Sequence, residues 1–313
     1  MKYAVKKLCA LIITLFIVSV LAFLAFQIIP GDPTTKMLGT EATPEAVGAL
    51  RGQLGLDRPI LLRYWNWLTN FLAGNMGISY SYQIPVGAMI GQKLSVTACL
   101  TVLSFLFTVL LAIPLGVLAG SVRNRFLDRI IAVLDQLFMS IPPFFLGILM
   151  CYVFGILLKL FAPGDFVALE SDPWGCIGYL VCPALAISIP RAAMTVKMLR
   201  SSVRKELQQE YVLTAKSRGN SHASILLHHV LRNALIPAIT FLAVSMAEIL
   251  TGTIIIEQVF TIPGIGRLLL ASISNRDFPV VQAVVVILAA WIVTVNFLAD
   301  LLNQWTDPRV RLR

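Results

Sequence analysis

Six apolar runs, each long enough to cross a lipid bilayer as a helix, recur along this chain and leave few folds open to it. They cover about residues 8–29, 94–120, 135–158, 177–196, 233–256 and 280–302. A bilayer core takes roughly 20 apolar residues as a helix. In lipid the backbone must satisfy its own hydrogen bonds, so open sheet edges and bare loops cannot stand there. Only 13% of the chain is charged and its mean hydropathy is +0.82, where a soluble domain carries about 25% charge. The first run holds 22 uncharged residues after "MKYAVKK", more than the ~7–15 of a signal-peptide core, and reads as a retained helix. The expectation is an all-α, polytopic integral membrane protein with six transmembrane helices. Pro114, Pro142, Pro143, Pro183 and Pro190 fall within or beside these runs and are expected as kinks that neighbouring helices tolerate.

Loop charge sets the orientation. Basic residues collect in the N-terminus (Lys2, Lys6, Lys7), after the second run (Arg123, Arg125, Arg129), in residues 191–232 with eight Lys or Arg, and in the tail "DPRVRLR". Residues 159–176 hold Lys159 against Asp165, Glu170 and Asp172, and residues 259–279 hold only Arg267, Arg276 and Asp277. Both termini are therefore expected in the cytoplasm. The formal charge of +9 fits cytoplasmic loop bias better than nucleic-acid binding, since aromatics suited to base stacking are absent from the basic segments.

The domain reading follows. Residues 1–30 form an N-terminal transmembrane helix and residues 31–93 an external segment. Residues 94–302 form a core of five spans with a cytoplasmic loop at 197–237, and residues 303–313 a cytoplasmic tail. In the external segment, Thr43 before Pro44 and Asp57 before Pro59 are helix-start signals. Tyr64, Trp65, Trp67 and Phe71 suit a helix at the membrane interface, or a packed external subdomain without a site.

One stretch of the core is out of character. "EYVLTAKSRGNSHASILLHHVLRNALIP", residues 210–237, is polar and basic between two apolar runs. Val203, Leu207 and Tyr211 recur at helical spacing and Gly219 is a natural stop. Ser221 then caps a second short helix carrying Ile225, Leu226, His229 and Leu231. A glycine turn between two helices makes a compact knob that docks a partner, or else a solvated basic face near anionic headgroups.

At this stretch the chain resembles the cytoplasmic coupling loop of ABC-importer permeases, in particular the dipeptide/oligopeptide/nickel permease family. "IIPGDP", "LGLDRPILLRYWNWL", "GNMGISY…PV", "IPLGVLAG", "IIIEQVFTIPGIGRLLLASISNRDFPVVQ" and "LADLLNQWTDPRVR" carry the likeness along nearly the whole chain. The resemblance implies the type I ABC importer permease architecture, with a cytoplasmic coupling helix. It implies contact with an ATPase through Leu213, Thr214, Ala215, Gly219, Ile225, Arg232 and Pro237. The family's Glu-Ala-Ala falls on Leu213, Thr214 and Ala215, so an ion pair from its Glu is not carried over. The sequence contains no GxxxxGK[ST] loop to cradle ATP phosphates. ATP and Mg would therefore sit on two partner ATP-binding subunits or domains, with no cofactor on this chain and no enzyme activity of its own. The other partners implied are a second related permease, an extracytoplasmic substrate-binding protein and membrane lipid. The implied cargo is peptides, with nickel or a metal chelate as the alternative. A stand-alone secondary transporter or channel is the more distant alternative; it would be expected to pair intramembrane charges and show inverted repeats, and neither is evident in the sequence.

Glu248 lies in mid-run, where an ionised carboxylate costs at least about 2.5 kcal/mol. It either hydrogen-bonds a neighbouring helix or lines the pore. Asp135 and Asp300 sit near helix ends, where snorkelling or local pairing suffices. His228 and His229 diverge by about 100° on a helix and do not converge on a metal. No residue set suggests catalysis. The five cysteines read as small apolar residues, with an external Cys176–Cys182 pairing left open.

Overall fold

A computed structural model of the protein describes residues 2–28, 43–53 and 57–306. The "PGDP" of the first family block and the basic tail from 307 onward lie outside the described residues. In order the helices are α1 (Lys2–Ile28), α2 (Pro44–Gln53), α3 (Ile60–Leu72), α4 (Val86–Ser121), α5 (Arg125–Ser140) and α6 (Pro143–Met150). After α6, Cys151–Leu157 continues in wider π-type turns. Then come α7 (Pro173–Leu207), α8 (Glu210–Ser217), α9 (His222–Val259, with a π-type turn at Ile225–Val230), α10 (Ile265–Ser274) and α11 (Phe278–Thr306). The described residues hold no strand, only a single β-bridge between Ile78 and Pro85.

Among the described residues, five helices are long and apolar enough to cross a membrane: α1, α4, α7, α9 and α11. The third expected run does not form one straight helix. It is the pair α5–α6, bent by 91°, and makes a sixth span if the two arms are counted together. Its break has a local cause. Pro142 disfavours helical backbone at the residue before it, and Ile141 is extended at φ −78°, ψ 120°. Pro143 imposes the same on Pro142, at ψ 139°, and then occupies the first helical position, where its missing N–H is harmless. Pro114, Pro183, Pro190 and Pro237, by contrast, lie inside continuous helices.

The chain divides into two compact units. The first holds residues 1–95 and 264–294. In it α1 packs on α3 through an aromatic ladder: Phe23 meets Tyr64 edge-on at 5.4 Å, and Trp67 lies 5.6 Å from Phe71. Ser19 and the Tyr64 hydroxyl hydrogen-bond at 2.8 Å. The interfacial aromatics thus serve helix packing at Tyr64 and Trp67, while Trp65 remains exposed. Thr43 caps α2 by accepting from Ala46 N at 3.3 Å. Asp57 does not cap α3, which starts at Ile60 without a side-chain cap; Asp57 lies 3.8 Å from Arg51 instead.

A buried carboxylate organises the rest of that unit. Asp277, fully buried ahead of α11, accepts from the Ser79 hydroxyl, from Tyr80 N at 2.9 Å and from Ser81 N at 3.2 Å. It clamps the loop around residues 75–85 to the α10–α11 junction. Burial, and the negative Asp277 beside it, push the Tyr80 phenol above its ordinary value.

The second unit, residues 96–263 and 295–313, has its core where α4, α6, α7 and the end of α9 meet: Leu100, Leu146, Tyr179, Leu180, Ile187, Ile256 and Phe260. Between helices in lipid, close van der Waals contact replaces the hydrophobic drive. The α4–α7 contact shows it. A Cβ on Gly116 would stand 2.9 Å from the Leu199 side chain, and one on Gly120 would stand 2.6 Å from that of Val203. Gly116 and Gly120 form a GxxxG pair that lets the helices touch.

Candidate functional site

The polar stretch folds into a knob. The helix expected to run continuously to Gly219 is interrupted: α7 ends at Leu207, Gln209 turns extended (ψ 151°), and α8 starts afresh at Glu210. The last turn of α7 tightens, with Gln208 N bonding Lys205 O and Gln209 N bonding Glu206 O at 3.3 and 3.1 Å. Tyr211 bridges the break by donating to Glu206 Oε2 at 2.7 Å. Burial first, then this bond to a carboxylate, raises the Tyr211 phenol.

The α8 terminus is a Schellman turn: Gly219 N bonds Lys216 O at 2.9 Å and Asn220 N bonds Ala215 O at 3.3 Å. Gly219 takes φ +79°, with open space around the missing Cβ. Ser221 caps the next helix by accepting from Ser224 N at 3.3 Å. Beneath these turns Val203, Val212, Ala215, Ile225, Leu226 and Val230 close a small core with Leu199.

This core sorts the seven coupling candidates. Leu213 is 61% exposed, and Thr214, Gly219, Arg232 and Pro237 are also exposed. Ala215 and Ile225 are buried, at 6% and 1% exposure. They hold the knob together from inside and present no side chain to a partner. Pro237 sits exposed within α9, between Ala234 and Ala238, with which the knob's core runs on into that helix.

Charges bind the root of the knob to the bent pair. Arg200 and Arg204, one turn apart on α7, both donate to the Asp128 carboxylate near the start of α5. Arg204 Nη1 lies 3.0 Å from Asp128 Oδ2, and Arg200 Nη2 lies 3.0 Å from the Asp128 carbonyl. Arg200 also reaches Asp135, two turns further along α5, at 3.6 Å. Asp135, expected near a helix start, stands inside α5 and is paired across helices with Arg200 of α7.

Glu248 has a partner that the loop count concealed. Arg191, tallied with the basic loop, stands inside α7 directly after Pro190, and its guanidinium pairs with the Glu248 carboxylate on α9. This corrects the expectation that the runs pair no opposite charges. The signal was present in the sequence, as one Arg inside the fourth run and one Glu inside the fifth. The pair opens onto a cavity of about 370 Å³ lined by Pro143, Phe144, Thr251, Gly252 and Ile255. Positions 248, 251, 252 and 255 are the i, i+3, i+4, i+7 series of one helix face. A second carboxylate, Glu257, is fully buried further along α9 and accepts from Thr97. Sequence reasoning singled out neither it nor Asp277.

His222, His228 and His229 are all exposed, and His228 Nδ1 lies 3.2 Å from Ser224 O on its own helix. Among the described residues no three His, Cys, Asp or Glu side chains gather as for a metal ion. All five cysteines are free. Cys176 and Cys182 share α7, where six residues of helical rise (about 9 Å) keep them apart.

These features meet a close match among known proteins. Residues 112–312 match the family described as "Binding-protein-dependent transport system inner membrane component", and residues 1–101 match its N-terminal counterpart. The "Glutathione transport system permease protein GsiC" of Escherichia coli (strain K12) is 34% identical over 313 residues, 100% of each chain. The "Probable peptide ABC transporter permease protein y4tP" of Sinorhizobium fredii is 32% identical over 311 residues, 99% of each chain. Helices that cross a membrane, a compact knob between two of the long ones and a match along the whole length lead to one assignment: the chain belongs to the family of binding-protein-dependent transport system inner membrane components.

Proposed function

We propose that the chain is one of two pore-forming subunits of an ATP-driven importer that carries di- and oligopeptides across the cytoplasmic membrane. The observation that carries this reading is the full-length similarity to permeases named for peptide and glutathione transport. Those names favour peptides over nickel as cargo. With no P-loop in the sequence, ATP and Mg belong to two partner subunits or domains. An extracytoplasmic binding protein delivers the substrate.

In this reading Leu213, Thr214, Gly219 and Arg232 meet the ATPase, with Pro237 at the edge of the contact. Ala215 and Ile225 keep the knob rigid enough to transmit its motion. Closure of the ATPases moves the knob, and the Arg200–Arg204–Asp128 cluster passes that motion to α5. Loop charge supports cytoplasmic termini: removing Arg191 from the tally still leaves seven of eight basic residues between 197 and 232.

Affinity purification of the chain from its native membrane tests the assignment. A nucleotide-binding subunit and a second permease are expected in stoichiometric amounts. Recovery of a homogeneous, transport-competent protein without any ATPase would overturn it.

A further inference from the structure

The Arg191–Glu248 pair does not sit as a structural ion pair ordinarily would. Such a pair inside a membrane protein faces the bundle interior, where removing it from solvent is offset by close contact. Here the Glu248 side chain is 49% exposed and that of Arg191 is 24% exposed. Both open onto one cavity of about 370 Å³, within the size range of small-molecule sites.

The rest of the lining is uncharged: Pro143, Phe144, Thr251, Gly252 and Ile255. The Thr251 hydroxyl points back to Ala247 O at 3.5 Å. The cavity therefore offers a ligand one positive and one negative group and little else. A bare cation would meet Glu248 but be repelled by Arg191, and a simple anion the reverse. A molecule carrying both signs can break the pair and satisfy both halves.

We propose that Arg191 and Glu248 form a charge-exchange site for zwitterionic peptides, deepening the reading of the chain as a peptide permease. The peptide carboxylate pairs with Arg191 and its ammonium with Glu248, and the two side chains re-pair when it leaves. Breaking the protein's own pair and desolvating both ends of the peptide offset the two pairs gained, so occupancy stays weak, as passage through a path requires. The uncharged remainder of the wall tolerates varied side chains. The site reads the two ends of a peptide rather than its sequence. Pro143 and Phe144, at the start of α6, couple it to the α5–α6 elbow.

The test uses the complete complex in proteoliposomes with its binding protein, and compares a free dipeptide with its N-acetyl and C-amide forms. The binding protein is the same in every arm, so a variant-to-wild-type ratio that depends on the substrate is a property of the permease. Glu248→Gln is expected to slow the free and amidated peptides about tenfold, the scale of one lost half-buried charge pair, and to leave the acetylated peptide unchanged. Arg191→Gln should slow the free and acetylated peptides and spare the amide. Glu248→Asp and Arg191→Lys should keep the wild-type pattern. A uniform loss across all three peptides would reduce the pair to a structural role and overturn the inference. Failure of the wild-type complex to import any peptide would instead sink the peptide reading, and this site with it.

If a blocked peptide is not delivered or a neutral variant does not assemble, labelling of Thr251→Cys in the otherwise intact complex decides. Millimolar free dipeptide should protect it from a water-soluble thiol reagent, and the doubly blocked peptide should not. Equal labelling with and without dipeptide would overturn the site.

Discussion

Asp277 is fully buried, and three donors from Ser79, Tyr80 and Ser81 converge on its carboxyl group. Asp277→Asn would turn an amide NH2 or a single carbonyl toward donors that two carboxylate oxygens now share. The expected loss is about 2–3 kcal/mol. It would appear as a lower unfolding midpoint in detergent and faster proteolysis within residues 75–85; an unchanged midpoint would contradict the clamp. Gly219 tests a different cause. No neighbour opposes a side chain there, so the penalty is conformational alone, about 1–2 kcal/mol for an ordinary residue held at positive φ. Gly219→Val should suppress substrate-stimulated ATP hydrolysis in the assembled complex, while Gly219→Asn, which tolerates that region, should keep most of it. Equal coupling in both variants would remove the turn from the mechanism. The glycine was legible in sequence because stop signals are local. Asp277 was not, since its donors lie nearly 200 residues away in sequence. Arg191 was visible but misread: charge counting treats a basic residue near a run's end as loop, whereas its partner on another helix decides where it stands.

Among the elements, the long apolar helices were the easiest to read, because a bilayer imposes both their length and their lack of charge. The α5–α6 elbow was harder. Hydropathy sums over a window and cannot separate a straight helix from two arms at 91°; the Pro142–Pro143 pair held the information, through its effect on Ile141. The break at Gln208–Gln209 carries no such marker, and the helical spacing of Val203, Leu207 and Tyr211 continued through it. There tertiary contacts won: Val212 and Ala215 of α8 join the knob's core with Val203 of α7, which a straight continuation would not allow. Gly116 and Gly120 stand in the family block "IPLGVLAG", where the sequence alone does not show which helix they pack against. Gly120→Leu should force α4 away from α7, since even a Cβ would meet Val203 at 2.6 Å. Loss of folded protein after membrane extraction is expected, and retention at the wild-type level would show that the two helices separate easily.

For the molecule as a whole, orientation and energy source are linked. If the α8 knob meets an ATPase, it must face the cytoplasm. A cysteine at Lys216 should then label only after permeabilisation and one at Glu170 from outside; the reverse would invert the topology. The sequence conveyed the family through blocks spread along the chain, while the cavity that a substrate would meet emerged only from the folded arrangement of Pro143, Arg191 and Glu248. The central claim is that this chain provides a path that works only when ATPases drive it. Its most direct test is uptake of a labelled dipeptide into proteoliposomes holding the purified complex, with binding protein outside and ATP inside. The account predicts accumulation that requires both ATP and binding protein and disappears when this chain is omitted. Equal uptake by the chain alone, without ATPase subunits or ATP, would contradict it.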